Sequence, residues 1–312
     1  MEKKFSEVKR IDDIETFLHL LEGDQLPLVE GSISLFHYSN GQGVKSIVES
    51  GEIWLSKSGF LNDKLEIKYT LELVLSIIEE FLTEEPVIEE RLFHDWFKQM
   101  IDLHLFSFEV FTLSFSKNGD SNVLWSNYAN NDGYNIEFKY PEIAKILLEN
   151  LRTAHPNRKF AVYPYFVVYN KGRQIELLKR EIINLFKLFY HDYYNREGHF
   201  RFQNAKRIFA NLVCYSTFFK DDSFHQEEEF RIAVFNSEKN EKPLYHCRLS
   251  NGVFIPYIGI PISNERTRIP IQGITVGPKN RLDIAEEGLK HFLELNGLTG
   301  VSISKSKIPY RY

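Results

Sequence analysis

Residues 34–56 read as strand, short helix, glycine, strand, all within about twenty residues. SLFHY (34–38) is a short strand that runs into the turn SNGQG. Val44, Ile47 and Val48 then recur at helical spacing, and Gly51 stands where a helix C-cap glycine belongs. EIWLS (52–56) is the second strand.

The rest of the chain continues the mixture. The spacing predicts a helix over 11–22, one over about 63–82 with an Asp63/Glu66 capping box, and one over about 87–105. Trp96 and Phe97 on the last of these read as packing residues. VFTLSFS (110–116) is a strand, Asn131-Asp132-Gly133 a turn, and YNIEF (134–138) a strand. A helix over 142–154 follows, then the strand FAVYPYFVVY, whose Pro164 argues for an edge or a bulge. Residues 172–220 are mostly helical with a break near Gly198. EEFRIAVF, PLYHCRL, VFIPYIGI, IQGITVGP and VSISKS read as strands, with a helix over 282–296. The expected fold is α+β: one domain over 1–312 on a mixed or antiparallel sheet, with an N-terminal helical extension (1–30) and a helical insertion (172–220).

Net charge is −5, which argues against a broad nucleic-acid-binding surface. No apolar run approaches the ~20 residues of a membrane span, and the charged start MEKKFSEVKRIDDIE is no signal peptide, so the expectation is a cytoplasmic protein. Cys214 and Cys247 show no zinc spacing; two buried thiols are expected, with a disulfide as the alternative. Zinc-hydrolase, P-loop, dinucleotide-fingerprint and nucleophile-elbow motifs are all missing from the sequence.

The chemistry-bearing stretch is Glu227-Glu228-Glu229-Phe230-Arg231. In an extended chain Glu227, Glu229 and Arg231 share one face, and Phe230, Ile232 and Val234 share the other, buried one. Close carboxylates repel, so one pKa rises unless Arg231 compensates. The plain alternative is an exposed strand end with solvated charges. His37, at a strand end beside Tyr38, is placed to bond a ligand or to satisfy a local turn. Trp54 and Ser56 share a face of the second strand, where the indole either stacks on a ring or joins the core. Trp125 and Tyr128, one helical turn apart, line a pocket or pin the loop Lys117–Asn122. Arg311, near the chain end, is within reach of the same site or solvated.

LFHYSNGQGVKSIVESGEIWLSKSGFLNDKLE resembles the opening of a mostly bacterial family, domain of unknown function 2971, with its H-Y-[ST] and L-N-D-x-x-E. SFSKNGDSNVLWSNYANNDGYNIEF, which begins with the S-F-S that ends in Ser116, is similar to a later block. FHQEEEFRI is similar to its F-x-x-E-x-E-[WF]-R block, and ITVGP and SKIPYR match its C-terminal signature. A further likeness is to ADP-ribosyltransferase folds: a strand ending in histidine, a short helix, a strand with a small hydroxyl, and a late Glu-x-Glu. That resemblance implies NAD as substrate and a macromolecular acceptor, as in a toxin or an anti-phage effector. It implies His37 on the NAD ribose, Tyr38 or Trp54 on nicotinamide, and Ser56 bracing the site. It also implies Glu229 as the catalytic carboxylate, Glu227 orienting the acceptor, and Arg231 keeping the carboxylates ionised or meeting the pyrophosphate. Alternatives are a nucleotide- or protein-binding module without turnover, and hydrolysis of NAD.

Overall fold

In the computed structural model, strand β1 (Ile33–Ser39) leads into helix α1 (Gly41–Ser50) and strand β2 (Glu52–Lys57), as the spacing predicts. Asn40 caps α1 by accepting a hydrogen bond from the Gly43 N–H at 2.8 Å. Gly51, at φ +64°, closes it by donating its N–H to the Ile47 carbonyl at 3.0 Å. Val44, Ile47 and Val48 are the buried residues of the helix. The structure describes residues 31–60, 64–82, 88–105, 109–156, 158, 160–195, 202–236, 244–250, 252–263, 269–280 and 282–309. The 1–30 extension, the Asp63 cap and the break near Gly198 lie outside the described residues.

These residues fall into two compact units. The first holds α2 (Lys64–Phe81), α3 (Ile88–Leu105), α6 (Lys171–Asn195) and α7 (Phe202–Phe218). Its core is aromatic. Phe93 packs against Trp96, Phe97, Phe186 and Phe189, and Phe97 stacks on Phe209. Trp96 and Phe97 are therefore packing residues. Among the described residues, no helix is long and apolar enough to cross a membrane.

The second unit is built on a ten-stranded sheet, so the fold is α+β. Its remaining strands are β3 (Glu109–Ser116), β4 (Tyr134–Tyr140), β5 (Phe160–Phe166), β6 (Glu229–Asn236), β7 (His246–Ser250), β8 (Val253–Pro261), β9 (Ile271–Val276) and β10 (Ser302–Lys305). Its remaining helices are α4 (Asn122–Tyr128), α5 (Glu142–Ala154) and α8 (Leu282–Leu295). The main path runs β10-β9-β4-β1-β3-β2-β8-β7, with β6 bonded to β3 and β5 to β6. The β9–β10 pair is parallel, whereas β1–β3, β1–β4, β2–β3, β2–β8, β4–β9, β5–β6 and β7–β8 are antiparallel.

Strand β3 is the junction, because β1, β2 and β6 all pair with it. A strand has two edges, so two partners share one. Strand β1 meets β3 at Ser116, and β2 meets it at Phe111 and Thr112. Pro164 sits opposite Ile232 on β5, which pairs only with β6 among the described strands. A proline is tolerated there because an outer edge needs no donor. Asn130 and Asn131 take left-handed φ values of 51° and 63°, and a Cβ on Gly133 would meet the Ser39 carbonyl oxygen at 2.4 Å. That turn therefore demands glycine.

Candidate functional site on the second face of the sheet

Side chains alternate along a strand, so the main core fixes which way every neighbour points. Phe111, Leu113 and Phe115 of β3, Phe230, Ile232 and Val234 of β6, and Ile53 and Leu55 of β2 all belong to that core. Ile258 and Ile260 of β8 join them. Residues one step along therefore face the other side: Thr112, Ser114 and Ser116, then Glu229 and Arg231, then Trp54 and Ser56, then Tyr257. The registers agree, since Ser56 lies opposite both Thr112 and Tyr257, and Tyr257 lies opposite His246. Hydroxyls, charges and rings thus gather on one face, together with Ala233, Phe235 and Ile255, and the face opposite is wholly aliphatic and phenyl at these positions.

The three glutamates do not share one extended face. Glu227 ends a 3-10 turn over Asp222–Glu227, Glu228 has φ +43°, and β6 begins at Glu229. The left-handed residue turns the chain between the two outer carboxylates. Such a conformation costs a non-glycine residue roughly 1–2 kcal/mol and persists where its surroundings hold it. Here the Lys117 N–H donates to the Glu228 carbonyl at 3.1 Å, and Asn118 Nδ2 to its Oε1 at 3.1 Å. The Ser116 hydroxyl donates to the Glu227 carbonyl at 2.7 Å, and the Val167 N–H to that of Glu229 at 2.9 Å.

Nor is this a solvated strand end. Glu227, Glu229 and Arg231 are 5%, 6% and 2% exposed. Every residue of β6 is buried, on both faces. Arg231 grips Glu229 with both arms of its fork, Nε to Oε1 at 2.6 Å and Nη2 to Oε2 at 3.0 Å. Glu227 instead accepts a hydrogen bond at 2.8 Å from the hydroxyl of Tyr128, whose ring is exposed.

The loop between β3 and α4 ties these groups to the rest of the unit. The Tyr38 hydroxyl donates to the Asn118 carbonyl at 2.8 Å and accepts from the Ser121 N–H at 3.0 Å. Burial pushes its pKa up to about 12. Asp120 accepts from Trp125 Nε1 at 2.8 Å, from the Ser306 hydroxyl at 2.6 Å and from the Lys307 N–H at 2.7 Å. Tyr38 and Trp125 meet edge to face, with centroids 4.8 Å apart, inside a small apolar cluster. Neither ring is open for a ligand to stack on. The same helical turn that was expected to align Trp125 with Tyr128 leaves one buried and the other exposed.

Trp54 and Ser56 lie elsewhere on the face. Ser56 is opposite Thr112, four residues along β3 from Ser116, which is roughly 13 Å at the rise of a strand. Trp54 stacks on Tyr257 at 4.3 Å. One face of its indole is therefore taken by a neighbouring ring. His37 points to the opposite face, because Leu35 two residues before it is in the main core and Tyr38 beside it is not. Its ring lies edge-on to Phe115, and Nδ1 is 3.0 Å from the Ser114 carbonyl oxygen. A carbonyl only accepts, so Nδ1 carries the proton and the neutral ring keeps a lone pair on Nε2. Arg311 lies outside the described residues.

Burial lowers the pKa of His37 below its usual 6.5, partly opposed by the bond to Ser114. Protonation therefore favours the unfolded chain. The contribution of His37 is complete above pH 6.5 and is lost as pH falls below it. Melting temperatures at pH 7.5 and pH 5 should differ by less in His37→Asn than in the wild type; equal differences would remove His37 from the acid response.

Asn118, Asp120, Tyr257 and Arg248 were not singled out from sequence. The first two were legible only as a polar loop. Arg248 and His246, two apart on β7, carried the alternation that puts them on one face with Ser56. Both cysteines are free thiols, but they are not both buried: Cys247 is exposed on β7. Among the described residues, no group of three or more His, Cys, Asp or Glu is placed to hold a metal ion.

The site thus belongs to an α+β protein whose sheet carries an apolar face and a polar one. Residues 124–232 match the family model described as protein of unknown function (DUF2971), which shows the resemblance carried by the motifs. The matched stretch contains α4 with Trp125 and Tyr128, and ends at Ile232 of β6, so it takes in all three glutamates. No curated protein and no solved structure matches the chain.

Proposed function

We propose that the chain is an ADP-ribosyltransferase-like protein that cleaves the nicotinamide–ribose bond of NAD and passes ADP-ribose to a macromolecule. The observation that supports this reading is the pair of carboxylates at the head of β6, Glu227 under the exposed Tyr128 and Glu229 locked to Arg231. Cleavage builds positive charge on the ribose, as in glycoside cleavage. A carboxylate fixed in advance stabilises that charge more than it stabilises the ground state. Glu227 is the better placed for this, since Arg231 occupies both oxygens of Glu229. Tyr128 orients Glu227 and offers a ring beside it. A toxin or anti-phage role would follow from such an activity.

The second reading is a nucleotide- or protein-binding module without turnover. The buried, doubly bonded Glu229–Arg231 pair favours it, because an ion pair of that kind serves as internal structure whether or not chemistry occurs.

Nicotinamide release from NAD by the purified chain, alone and with cell lysate, separates them. Glu227→Gln is expected to lower release by roughly a hundredfold or more. Release only with lysate supports a macromolecular acceptor; release without it, with free ADP-ribose as the product, supports water. No release and no NAD binding under either condition ends the enzyme reading.

A further inference from the structure

The far end of the polar face holds a second cluster. Arg248 reaches across β8 beside Tyr257 and donates from Nη2 to the Ser56 hydroxyl at 3.2 Å. Its Nε is buried without a hydrogen-bond partner, and so is the hydroxyl of Thr112, the residue opposite Ser56. No ion pair joins Arg248 to a carboxylate among the described residues. Ser56, having accepted from Arg248, still has its own proton to give. The guanidinium and the Thr112 hydroxyl, next to Ser56 on either side, thus each keep a polar atom without a partner, which an anion's oxygens could satisfy.

Beside them is a surface for a ring. Trp54 stacks on Tyr257, and Tyr257 lies against His246 with centroids 5.9 Å apart. Trp54 is 38% exposed, so one part of the indole is open. It stands opposite Gly259, which has no side chain of its own; the Glu52 carboxylate lies over that glycine, 2.9 Å from where a Cβ would stand. Trp54 and Ser56 are two residues apart on one face, roughly 7 Å. That is about the span of one sugar.

We propose that this cluster binds a nucleotide: its phosphate on Arg248, Ser56 and Thr112, and its base on Trp54. The base contributes area and stacking, and the phosphate contributes charge-assisted bonds, so neither part alone should bind well. The proposal uses none of the glutamates and stands whether or not NAD is cleaved. If NAD is the substrate, this end takes the nucleotide remote from the scissile bond.

The test is calorimetric titration of the full chain with AMP, with adenosine and with inorganic phosphate. AMP is expected to bind at least about tenfold more tightly than either fragment. Arg248→Gln should bring AMP down to the level of adenosine, and Trp54→Ala to the level of phosphate. Arg248→Lys, which keeps the charge and loses the fork, should fall between. Thermal melts check that each variant is folded, and Arg248→Lys with Trp54→Ala carry the test if Arg248→Gln is not. AMP binding that is undetectable at millimolar concentration, no tighter than phosphate, or unchanged in the folded variants overturns the proposal. Nicotinamide release by the wild-type chain is measured separately, so failure of this site and failure of the NAD reading are distinguishable.

Discussion

Arg231→Met should lower the folding free energy by about 3–5 kcal/mol, the cost of leaving one member of a buried ion pair behind. Glu229 is 6% exposed and would keep a carboxylate that no longer has its fork of donors. Glu229→Gln should be costly for the reciprocal reason, since the guanidinium is 2% exposed. The double replacement Glu229→Met/Arg231→Leu removes both charges together. It should recover most of the loss, because a buried pair and an apolar pair of similar volume are often close in free energy. Urea unfolding of the four proteins reads the result directly. Single variants that lose less than about 1 kcal/mol would mean that water reaches the pair, as in a surface salt bridge. The same series guards the activity assay: a dead but unfolded Glu229→Gln says nothing about catalysis, whereas Glu227→Gln leaves this pair intact.

Trp125→Ala is the other change with a large expected effect, about 3–5 kcal/mol. The indole is fully buried, meets Tyr38 edge to face, and donates to Asp120. Trp125→Phe keeps most of the ring but loses the N–H. Its cost should lie nearer 1–3 kcal/mol, because Asp120 keeps Ser306 and Lys307 as partners. Denaturant midpoints of the two variants give the comparison. Equal midpoints would show that the hydrogen bond, and not the ring, holds the loop.

The sequence made the periodic parts of this protein legible. Val44, Ile47, Val48 and Gly51 defined α1 by spacing alone, and the alternation in FRIAVF placed Phe230, Ile232 and Val234 in the core. Alternation failed where one residue left the extended region. Nothing in Glu-Glu-Glu signals that the middle residue is left-handed, because the cause is a set of hydrogen bonds from β3 and its following loop, far away in sequence. The face of His37 was not legible for a related reason. A strand end shows that a histidine is near a turn, but its face is set by pairing partners such as Phe115. Arg248 escaped notice because a lone arginine on a short strand carries no local signal. Its meaning comes from Ser56 and Thr112, which only the sheet brings beside it.

The helical unit enters the chain between strands that are antiparallel neighbours. Residues 58–108 connect β2 to β3, residues 167–228 connect β5 to β6, and the helical unit takes up most of both. Each is, in topological terms, the loop of a hairpin. The entropy of closing a flexible loop grows only with the logarithm of its length, about 0.6 kcal/mol for each doubling. A whole bundle can therefore be carried at two hairpin ends for little more than two ordinary turns would cost. In chain connectivity, then, the β2–β3 and β5–β6 pairings do not depend on the length of what joins them, and the helices are insertions into a sheet whose strand order is complete without them.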